Sequence, residues 1–276
     1  MTKKEFLIGN IDLRQSSGIE IGPLHAPIVL KSESDVLYVD YATADILKST
    51  FKHEGVSATE VVDVDIVWGS RPLNEIIARR LDYALASHVI EHVPDLVGWL
   101  LEIQSTLKPG ASLGLAVPDK RYTFDQYRQE SGLGEIIEAY LARRKQPSVR
   151  QVFEAMALSK NKPSETGWLP ENRKGSLPGE MTERLRTSFP WIRDAFSTNP
   201  YYVDVHCWIF TPASFLDVAE GLASLSLFPF KVASFLPTMQ NSIEFLVRLE
   251  TTESSDDPEV VKSINEARQK LYTNCY

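Results

Sequence analysis

Four histidine and aspartate side chains of this 276-residue chain could act as bases. They are His88, His92, Asp119 and His206, and each is predicted at the end of a strand or at the boundary of an inserted segment. Open α/β sheets hold their ligands at the carboxyl edge of the strands, where these side chains would meet. A base at that edge could take the proton of a hydroxyl group. We therefore name His92, Asp119 and His206 as the candidate catalytic residues.

Each of these candidates also has a purely structural explanation. His92 could bond a nearby carbonyl at the start of a helix, and His206 could belong to an apolar anchor segment. Asp119 could simply cap or pair with the basic residues that follow it, Lys120 and Arg121. Those two basic residues could instead meet an anionic acceptor such as a sugar phosphate or a carboxylate. The sequence leaves these alternatives open.

A zinc motif overlaps two of the histidines. His88, Glu91 and His92 have the spacing of the inverted zinc-protease pattern, in which two histidines bind zinc and the glutamate is the base. That arrangement needs one continuous helix through both histidines. An apolar strand is predicted directly before His88, and Pro94 follows closely, so any helix here is short. We therefore predict no metal site.

A nucleoside site is indicated near the N-terminus. Residues 18–23 read as an apolar strand and a tight turn, and a second apolar strand ends in Asp40. Such a turn lets backbone approach a nucleoside, and the carboxylate accepts hydrogen bonds from ribose hydroxyls. Leu24 and Ala26 stand where a dinucleotide site would have glycines, and Glu20 would repel phosphates. The pattern favours S-adenosylmethionine, which has no phosphate, over NAD.

The composition limits the other classes of function. Hydrophobic residues make up 43% of the chain and charged residues 24%, which is ordinary for a soluble globular protein. No apolar run approaches the roughly 18 residues of a membrane span, and the first residues lack the apolar core of a signal peptide. We expect a cytoplasmic protein. The net charge of −8 disfavours nucleic acid as a partner, and Cys207 and Cys275 are expected to be free thiols.

Seven short apolar segments predict the strands that position these residues. They are residues 19–21, 36–39, 58–64, 83–86, 113–117, 230–236 and 242–249. The first five are separated by lengths that suit crossover helices, which is typical of a doubly wound parallel sheet. A turn with Pro237 and Asn241 lets the last two pair as an antiparallel hairpin. The predicted fold class is therefore α/β.

Helical patterns suggest how the rest of the chain is organised. Helices are predicted at residues 96–107, 133–145, 149–159, 179–196, 211–224 and 259–272. We assign residues 1–121 and 203–252 to the sheet domain, 122–202 to a helical insertion that forms an acceptor lid, and 253–276 to a C-terminal tail and helix. Aromatic residues in and beside the insertion could stack on a sugar or pack its core. They are Trp168, Phe189, Trp191, Tyr201, Tyr202 and Trp208.

The order of these segments resembles class I S-adenosylmethionine-dependent methyltransferases over roughly residues 18–119. The resemblance is carried by Glu20-Ile21-Gly22-Pro23, by Asp40, by residues 81–95 (LDYALASHVIEHVPD) and by Leu107-Lys108-Pro109-Gly110. It implies a seven-stranded, mostly parallel sheet with an antiparallel last strand and, here, a helical insertion. Residues 118–125 and 206–212 look similar to a bacterial subgroup linked to surface-polysaccharide or glycan biosynthesis.

The resemblance also implies which residues bind the cofactor. Asp40 would bind the ribose hydroxyls, and Asp65, Ile66 or Trp68 would lie near the adenine. The full set of implied cofactor-binding residues is Glu20, Gly22, Pro23, Asp40, Asp65, Ser87 and His88.

The implied activity is methyl transfer from S-adenosylmethionine, with S-adenosylhomocysteine as the product. The resembled subgroup indicates an oxygen of a sugar or glycan precursor as the acceptor, so the expected partner is a small molecule or a glycan. Two alternatives stay open. One is an NAD-dependent Rossmann oxidoreductase, which the missing glycines disfavour, and the other is a non-catalytic binding module of the same fold. The sequence does not indicate an oligomeric state.

Overall fold

The computed structural model describes residues 1–51, 59–69, 71–159, 168, 179–198, 202–254 and 257–273. Within these ranges, one sheet is built from β1 Ser17–Ile21, β2 Asp35–Asp40, β3 Ile66–Val67, β4 Leu81–Ser87, β5 Leu107–Pro118, β6 Phe230–Leu236 and β7 Glu244–Thr251. The strand order is β3-β2-β1-β4-β5-β7-β6. The first five strands are parallel, and β7 runs antiparallel to both of its neighbours. The predicted fold class is confirmed.

The six predicted helices are present in the described ranges to within a few residues, and the first three helices of the chain, which were not predicted individually, are added to them. They are α1 Lys3–Ile8, α2 Ala44–Phe51, α3 Leu73–Ile76, α4 Leu96–Thr106, α5 Leu133–Leu141, α6 Val149–Leu158, α7 Gly179–Thr198, α8 Pro212–Ser224 and α9 Pro258–Thr273. Thr211 caps α8 by accepting a hydrogen bond from the N–H of Ser214, and Pro212 occupies the first turn. None of these helices is long and apolar enough to span a bilayer. The cytoplasmic location stays a prediction.

Alternating side chains of the strands bury both faces of the sheet. In β4, Tyr83 and Leu85 pack with α1 on one face, while Ala84 and Ala86 join the main core on the other. The main core also contains buried residues of α4, α5, α8 and α9. Ile136 of α5 is fully buried there, so the first helix of the predicted insertion is part of the main core. The domain limits themselves stay predictions.

The third strand is the element that the sequence analysis placed wrongly. The prediction was residues 58–64; residue 58 lies outside the described residues, and none of residues 59–64 is in a strand. Val61 packs beside Ala42 and Leu47 instead of entering the sheet. Asp65 bonds Tyr38 through both its backbone N–H and its carboxylate, at 2.9 and 2.8 Å. The chain therefore comes alongside β2 only at Asp65, and β3 is short.

Candidate functional site

The carboxyl ends of the central parallel strands form one edge at which the candidate residues gather. The N–H of Gly22 after β1 bonds the carbonyl of Val39, at 2.9 Å. The N–H of His88 after β4 bonds the carbonyl of Ala116 in β5, at 3.0 Å. Ligands of open α/β sheets bind at this edge. The predicted residues at the ends of these strands or directly after them are Gly22, Pro23, Asp40, Ser87, His88 and Asp119.

The turn after β1 depends on a glycine. Gly22 has φ of +66°, in the left-handed region that favours glycine. A Cβ built at this position would lie 2.9 Å from Cγ2 of Val89, in the turn after β4. The missing side chain therefore lets the two turns approach closely. Leu24, where a dinucleotide site would have a glycine, also has a positive φ of +46°.

Gly22→Ala is expected to destabilise the protein more than Gly110→Ala does. Both glycines have φ in the left-handed region, where alanine costs about 1–2 kcal/mol. Only Gly22 also meets a neighbour, because no described atom lies within 4 Å of a Cβ built at Gly110. Denaturant unfolding of the two variants measures the difference. Equal losses of unfolding free energy would show that Val89 moves aside without cost.

Asp40 ends β2 in a buried position, with 6% of the residue exposed. Its Oδ1 accepts a hydrogen bond from the N–H of Tyr41, at 2.8 Å. Burial raises the pKa of this carboxyl to about 6, although the N–H groups of Tyr41 and Ala42 oppose the shift. A carboxylate has about four lone-pair sites, so Asp40 can accept further hydrogen bonds from hydroxyl donors.

Trp68 lies next to Asp40 at the same edge. Its backbone N–H bonds the carbonyl of Asp40 at 2.8 Å, and Ile66 pairs with Val39 in the ladder between β2 and β3. The indole N–H of Trp68 bonds Glu102 of α4, at 3.1 Å. Trp68, one of the residues predicted near the adenine, is thus the residue that directly follows β3.

Glu20 and Asp65 are engaged by the loop between β1 and β2. The carboxylate of Glu20 accepts hydrogen bonds from the N–H groups of Ile28 and Val29, at 2.7 and 3.0 Å, and burial raises its pKa. The carboxylate of Asp65 bonds Lys31, at 2.6 Å. The structure gives neither carboxylate a hydrogen bond or ion pair with Asp40, and their cofactor roles stay predictions.

Ser87 and His88 are held by residues from the two ends of the chain. Lys3 donates hydrogen bonds to Ser87 Oγ and to Glu244 Oε2, both at 2.8 Å. Nε2 of His88 lies 2.7 Å from the same Glu244 oxygen. Burial would raise the pKa of Glu244, but His88 and Lys3 together lower it. These contacts fix the turn after β4, and Nε2 of His88 is already in use.

His92 and His206 form a pair that the sequence could not reveal. Their ring centroids lie 4.7 Å apart in an edge-to-face arrangement. Nδ1 of His92 bonds Asp204 Oδ1 at 2.9 Å, and Nδ1 of His206 bonds Asp125 Oδ2 at 2.6 Å. A carboxylate only accepts hydrogen bonds, so each Nδ1 carries the hydrogen, and Nε2 of a neutral ring keeps a free lone pair.

The charges around this pair shift the pKa values of His92 and Asp125. Burial alone would lower the pKa of His92, yet the hydrogen bond and charge of Asp204 outweigh it and raise that pKa. Burial would raise the pKa of Asp125, but His206 and Arg128 together lower it. Asp125 also accepts a hydrogen bond from Arg128 at 2.9 Å, and both side chains are almost completely buried. Asp125 is therefore held as a buried carboxylate.

The segment from residue 204 to 211 brings His206 to the turn after β4. The carbonyl of Glu91 accepts hydrogen bonds from the N–H groups of Cys207 and Trp208, at 2.5 and 3.2 Å. The indole N–H of Trp208 bonds the carbonyl of Val93, at 2.6 Å. Trp208 is buried by these contacts and belongs to the core, so it is not available to stack on a sugar.

Asp119 is buried in a hydrogen-bond network of its own. It pairs with the guanidinium of Arg121 through both oxygens, with Nη2 at 2.6 Å and Nε at 3.0 Å, and the hydroxyl of Thr238 donates to it at 2.7 Å. The ion pair with Arg121, which is the structural explanation given above for Asp119, is therefore present. The role of Asp119 as a base stays a prediction.

Three acidic residues of this site were not selected from the sequence. Asp125 and Asp204 bond the histidines, and Glu91 contributes a completely buried carboxylate. The signal for Asp125 in the sequence was its place in residues 118–125, which resemble the subgroup linked to glycan biosynthesis. Asp204 lies two residues before His206, and nothing in the sequence distinguished it from other exposed aspartates.

The remaining aromatic residues are distributed over the insertion. Trp168 stacks on Tyr122 with ring centroids 3.9 Å apart, and Tyr201 lies outside the described residues. The exposed ring of Phe124 lies 4.7 Å from that of His206. The other predicted aromatic residues with exposed side chains are Phe189, Trp191 and Tyr202.

No protein-family model matches this chain, and no curated protein matches it. It is similar to a solved structure from Aquifex aeolicus described as a SAM-dependent methyltransferase, with 9% identity, coverage of 91% of this chain and 89% of that one, and a TM-score of 0.43. The mitomycin 7-O-methyltransferase has 12% identity, coverage of 91% and 53%, and a TM-score of 0.41. A protein from Streptococcus thermophilus provisionally described as a hemolysin has 14% identity, coverage of 99% and 73%, and a TM-score of 0.42. The function is therefore argued from the residues of this chain.

Proposed function

We propose that this protein is an S-adenosylmethionine-dependent methyltransferase that acts on an oxygen of a sugar or glycan precursor. The observation that carries the proposal is Asp40, a buried carboxyl with free acceptor capacity at the end of β2. It lies beside Trp68, at the edge where the glycine turn after β1 meets the turn after β4. A buried carboxyl at this position suits two ribose hydroxyls.

The residues around the turn after β1 fit S-adenosylmethionine better than a dinucleotide. A pyrophosphate needs several backbone N–H groups of a glycine-rich turn at a helix N-terminus, and Leu24 and Ala26 replace the later glycines. In this proposal Gly22 and Asp40 hold the nucleoside and Trp68 lines the adenine side. S-adenosylmethionine supplies a methyl group on a positively charged sulfur, and the protein has to align the acceptor with it and exclude water.

The two histidines support an oxygen acceptor. A hydroxyl group must lose its proton when it is methylated, and His92 and His206 present Nε2 atoms next to the turn after β4. The exposed ring of Phe124 beside His206 offers an apolar surface of the kind on which sugars stack. Arg121, half exposed beside Tyr122, could bind an anionic group of the acceptor.

Calorimetric titration with S-adenosylmethionine, S-adenosylhomocysteine and NAD tests the proposed function. We expect both sulfur compounds to bind at one site per chain and NAD to bind at least about tenfold more weakly, a difference of about 1.4 kcal/mol. Tight binding of NAD alone would instead support the oxidoreductase. Binding of S-adenosylmethionine without turnover on hydroxyl acceptors across sugar and glycan panels would favour the non-catalytic binding module.

The affinity for S-adenosylhomocysteine is expected to fall as the pH drops below about 6. The pKa of Asp40 is about 6 in the free protein, so the carboxylate that binds the hydroxyls is fully ionised only above that pH. Below it, the affinity should decrease by up to about tenfold per pH unit, because binding must first remove a proton. Titrations between pH 5 and pH 8 measure this, with Asp40→Asn as the control. The same pH dependence in the control would assign it to another group.

A further inference from the structure

Glu91 presents an unexplained polar group in the interior. It is 0% exposed, and among the described residues neither carboxylate oxygen has a hydrogen-bond partner. Nδ1 of His88 lies 3.6 Å from Oε1 of Glu91, which is beyond hydrogen-bond distance. A buried carboxylate without a partner is costly, and such groups in native proteins are paired or bind a metal. No hydrogen bond among the described residues therefore accounts for the buried carboxyl of Glu91.

The two histidines lie where such a partner would be bound. One nitrogen of His92, one nitrogen of His206 and one carboxylate oxygen of Glu91 lie within 4.8 Å of one another. Since Nδ1 of each ring is bonded to Asp204 or Asp125, Nε2 is the nitrogen left for a ligand. Histidines that bind metals almost always donate their other ring N–H to a carboxylate or carbonyl. Here both histidines do so.

We propose that Glu91, His92 and His206 bind one divalent transition-metal ion, with Zn²⁺ as the best match. Two imidazoles and one glutamate are the protein ligands of one class of catalytic zinc site, which keeps a fourth position open. Bonds of about 2.0–2.1 Å in a tetrahedral site place the ligand atoms about 3.4 Å apart. The three ligand atoms that lie within 4.8 Å of one another would therefore have to close by about 1.4 Å at most.

This site differs from the inverted zinc-protease motif in the sequence. The motif would use His88 and His92, but Nε2 of His88 is bonded to Glu244. The turn after β4 is a 3₁₀ helix of three residues, Ile90–His92, so no α-helix carries both histidines. His206 takes the place of His88 as the second histidine. This proposal therefore departs from the expectation that the chain has no metal site.

The role of the ion depends on the proposed function. The open position would bind the hydroxyl oxygen of the acceptor, and the positive charge would lower the pKa of that hydroxyl. The hydroxyl proton would leave to bulk solvent as the acceptor binds, before water is excluded from the site. The oxygen would then form a bond to the methyl carbon while the carbon–sulfur bond breaks with its electron pair left on sulfur. His92 and His206 would hold the ion during this step and would not take the proton themselves.

Metal titration of the full chain, stripped with EDTA and dialysed, tests the site. We expect one Zn²⁺ per chain by competition with a chromogenic chelator, and a visible d–d spectrum of bound Co²⁺ that indicates nitrogen and oxygen ligands. Glu91→Gln and His206→Gln should each weaken Zn²⁺ binding at least about 100-fold. Asp125→Asn, which removes the carboxylate bonded to His206 and to Arg128, should weaken it about 10–100-fold. His88→Gln is the matched control and should change it less than about threefold.

Two results would overturn the site. One is the absence of stoichiometric Zn²⁺ binding by the wild-type protein, and the other is an effect of His88→Gln equal to that of His206→Gln. Zn²⁺ should raise the unfolding temperature of the wild-type protein and not that of Glu91→Gln, which separates loss of the site from loss of the fold. Titrating the stripped protein with S-adenosylhomocysteine tests the cofactor site independently, so failure of either proposal is recognised separately.

Discussion

Asp40→Ala lowers the affinity for S-adenosylhomocysteine on the order of 100-fold if this carboxylate holds the ribose. Hydrogen bonds to a charged group contribute about 1.5–3 kcal/mol each, and Asp40 would accept two from the ribose hydroxyls. Even at the lower end, the loss of about 3 kcal/mol corresponds to about 100-fold in the dissociation constant. Calorimetric titration at pH 7.5 measures it, above the pKa of about 6 of the carboxyl in the free protein.

Asp45→Asn is the matched control for that variant. Asp45 belongs to α2, close to Asp40 in sequence, and its side chain is 95% exposed with Lys48 3.8 Å away. The control removes one negative charge near the site without removing a buried acceptor, so the affinity should stay within about twofold of wild type. Equal losses in the two variants would show that only net charge matters, and an unchanged affinity in Asp40→Ala would place the ribose elsewhere.

Arg128→Met is expected to destabilise the protein by about 3 kcal/mol. Arg128 and Asp125 are almost completely buried and joined at 2.9 Å, and Asp125 also carries His206. Removing one partner of a buried ion pair leaves a charge without compensation, which typically costs about 3–5 kcal/mol. We choose the lower end because His206 still bonds the carboxylate and methionine keeps part of the apolar contact. Denaturant unfolding monitored by circular dichroism measures the change.

Arg150→Met provides the control for an arginine on the surface. Arg150 forms ion pairs with Glu154 at 2.7 Å and Glu135 at 3.5 Å, and about half of its side chain is exposed. Exposed pairs of this kind contribute about 0–1 kcal/mol, so this variant should unfold close to wild type. If Arg128→Met were no more destabilising than Arg150→Met, Asp125 would have to be neutral in the folded protein.

A strand could be predicted from the sequence where a short apolar segment could be buried in only one way, by entering the sheet. The strands around Ile19, Val36 and Leu113 are buried on both faces and read as apolar runs, which only a covered parallel sheet accommodates. The apolar run around Val61 had a second possibility, since it could pack against α2 instead of entering the sheet. Sequence alone does not decide between these two kinds of burial.

The candidate site was predictable as a set of residues but not as an arrangement. Asp40 could be found because it follows a strand in a local pattern. His92 and His206 were each identified, whereas their contact depends on the path of residues 204–211, which the topology determines. The carboxylate of Glu91 was assigned to a motif with His88, because spacing in sequence does not show which neighbour a turn faces. The structure adds the contacts between residues that lie far apart in sequence.

The segment from residue 204 to 211 also determines the order in which the two halves of the site form. The turn of Gly22 meets Val39 within the first strands, whereas Cys207 reaches His92 across 115 positions of sequence. Closing a longer loop costs more chain entropy, by about 0.6 kcal/mol for each doubling of its length, before any contact compensates. During synthesis Gly22, Asp40 and Trp68 leave the ribosome long before His206 does. A newly made chain therefore contains the residues proposed to bind the nucleoside well before the two histidines can meet.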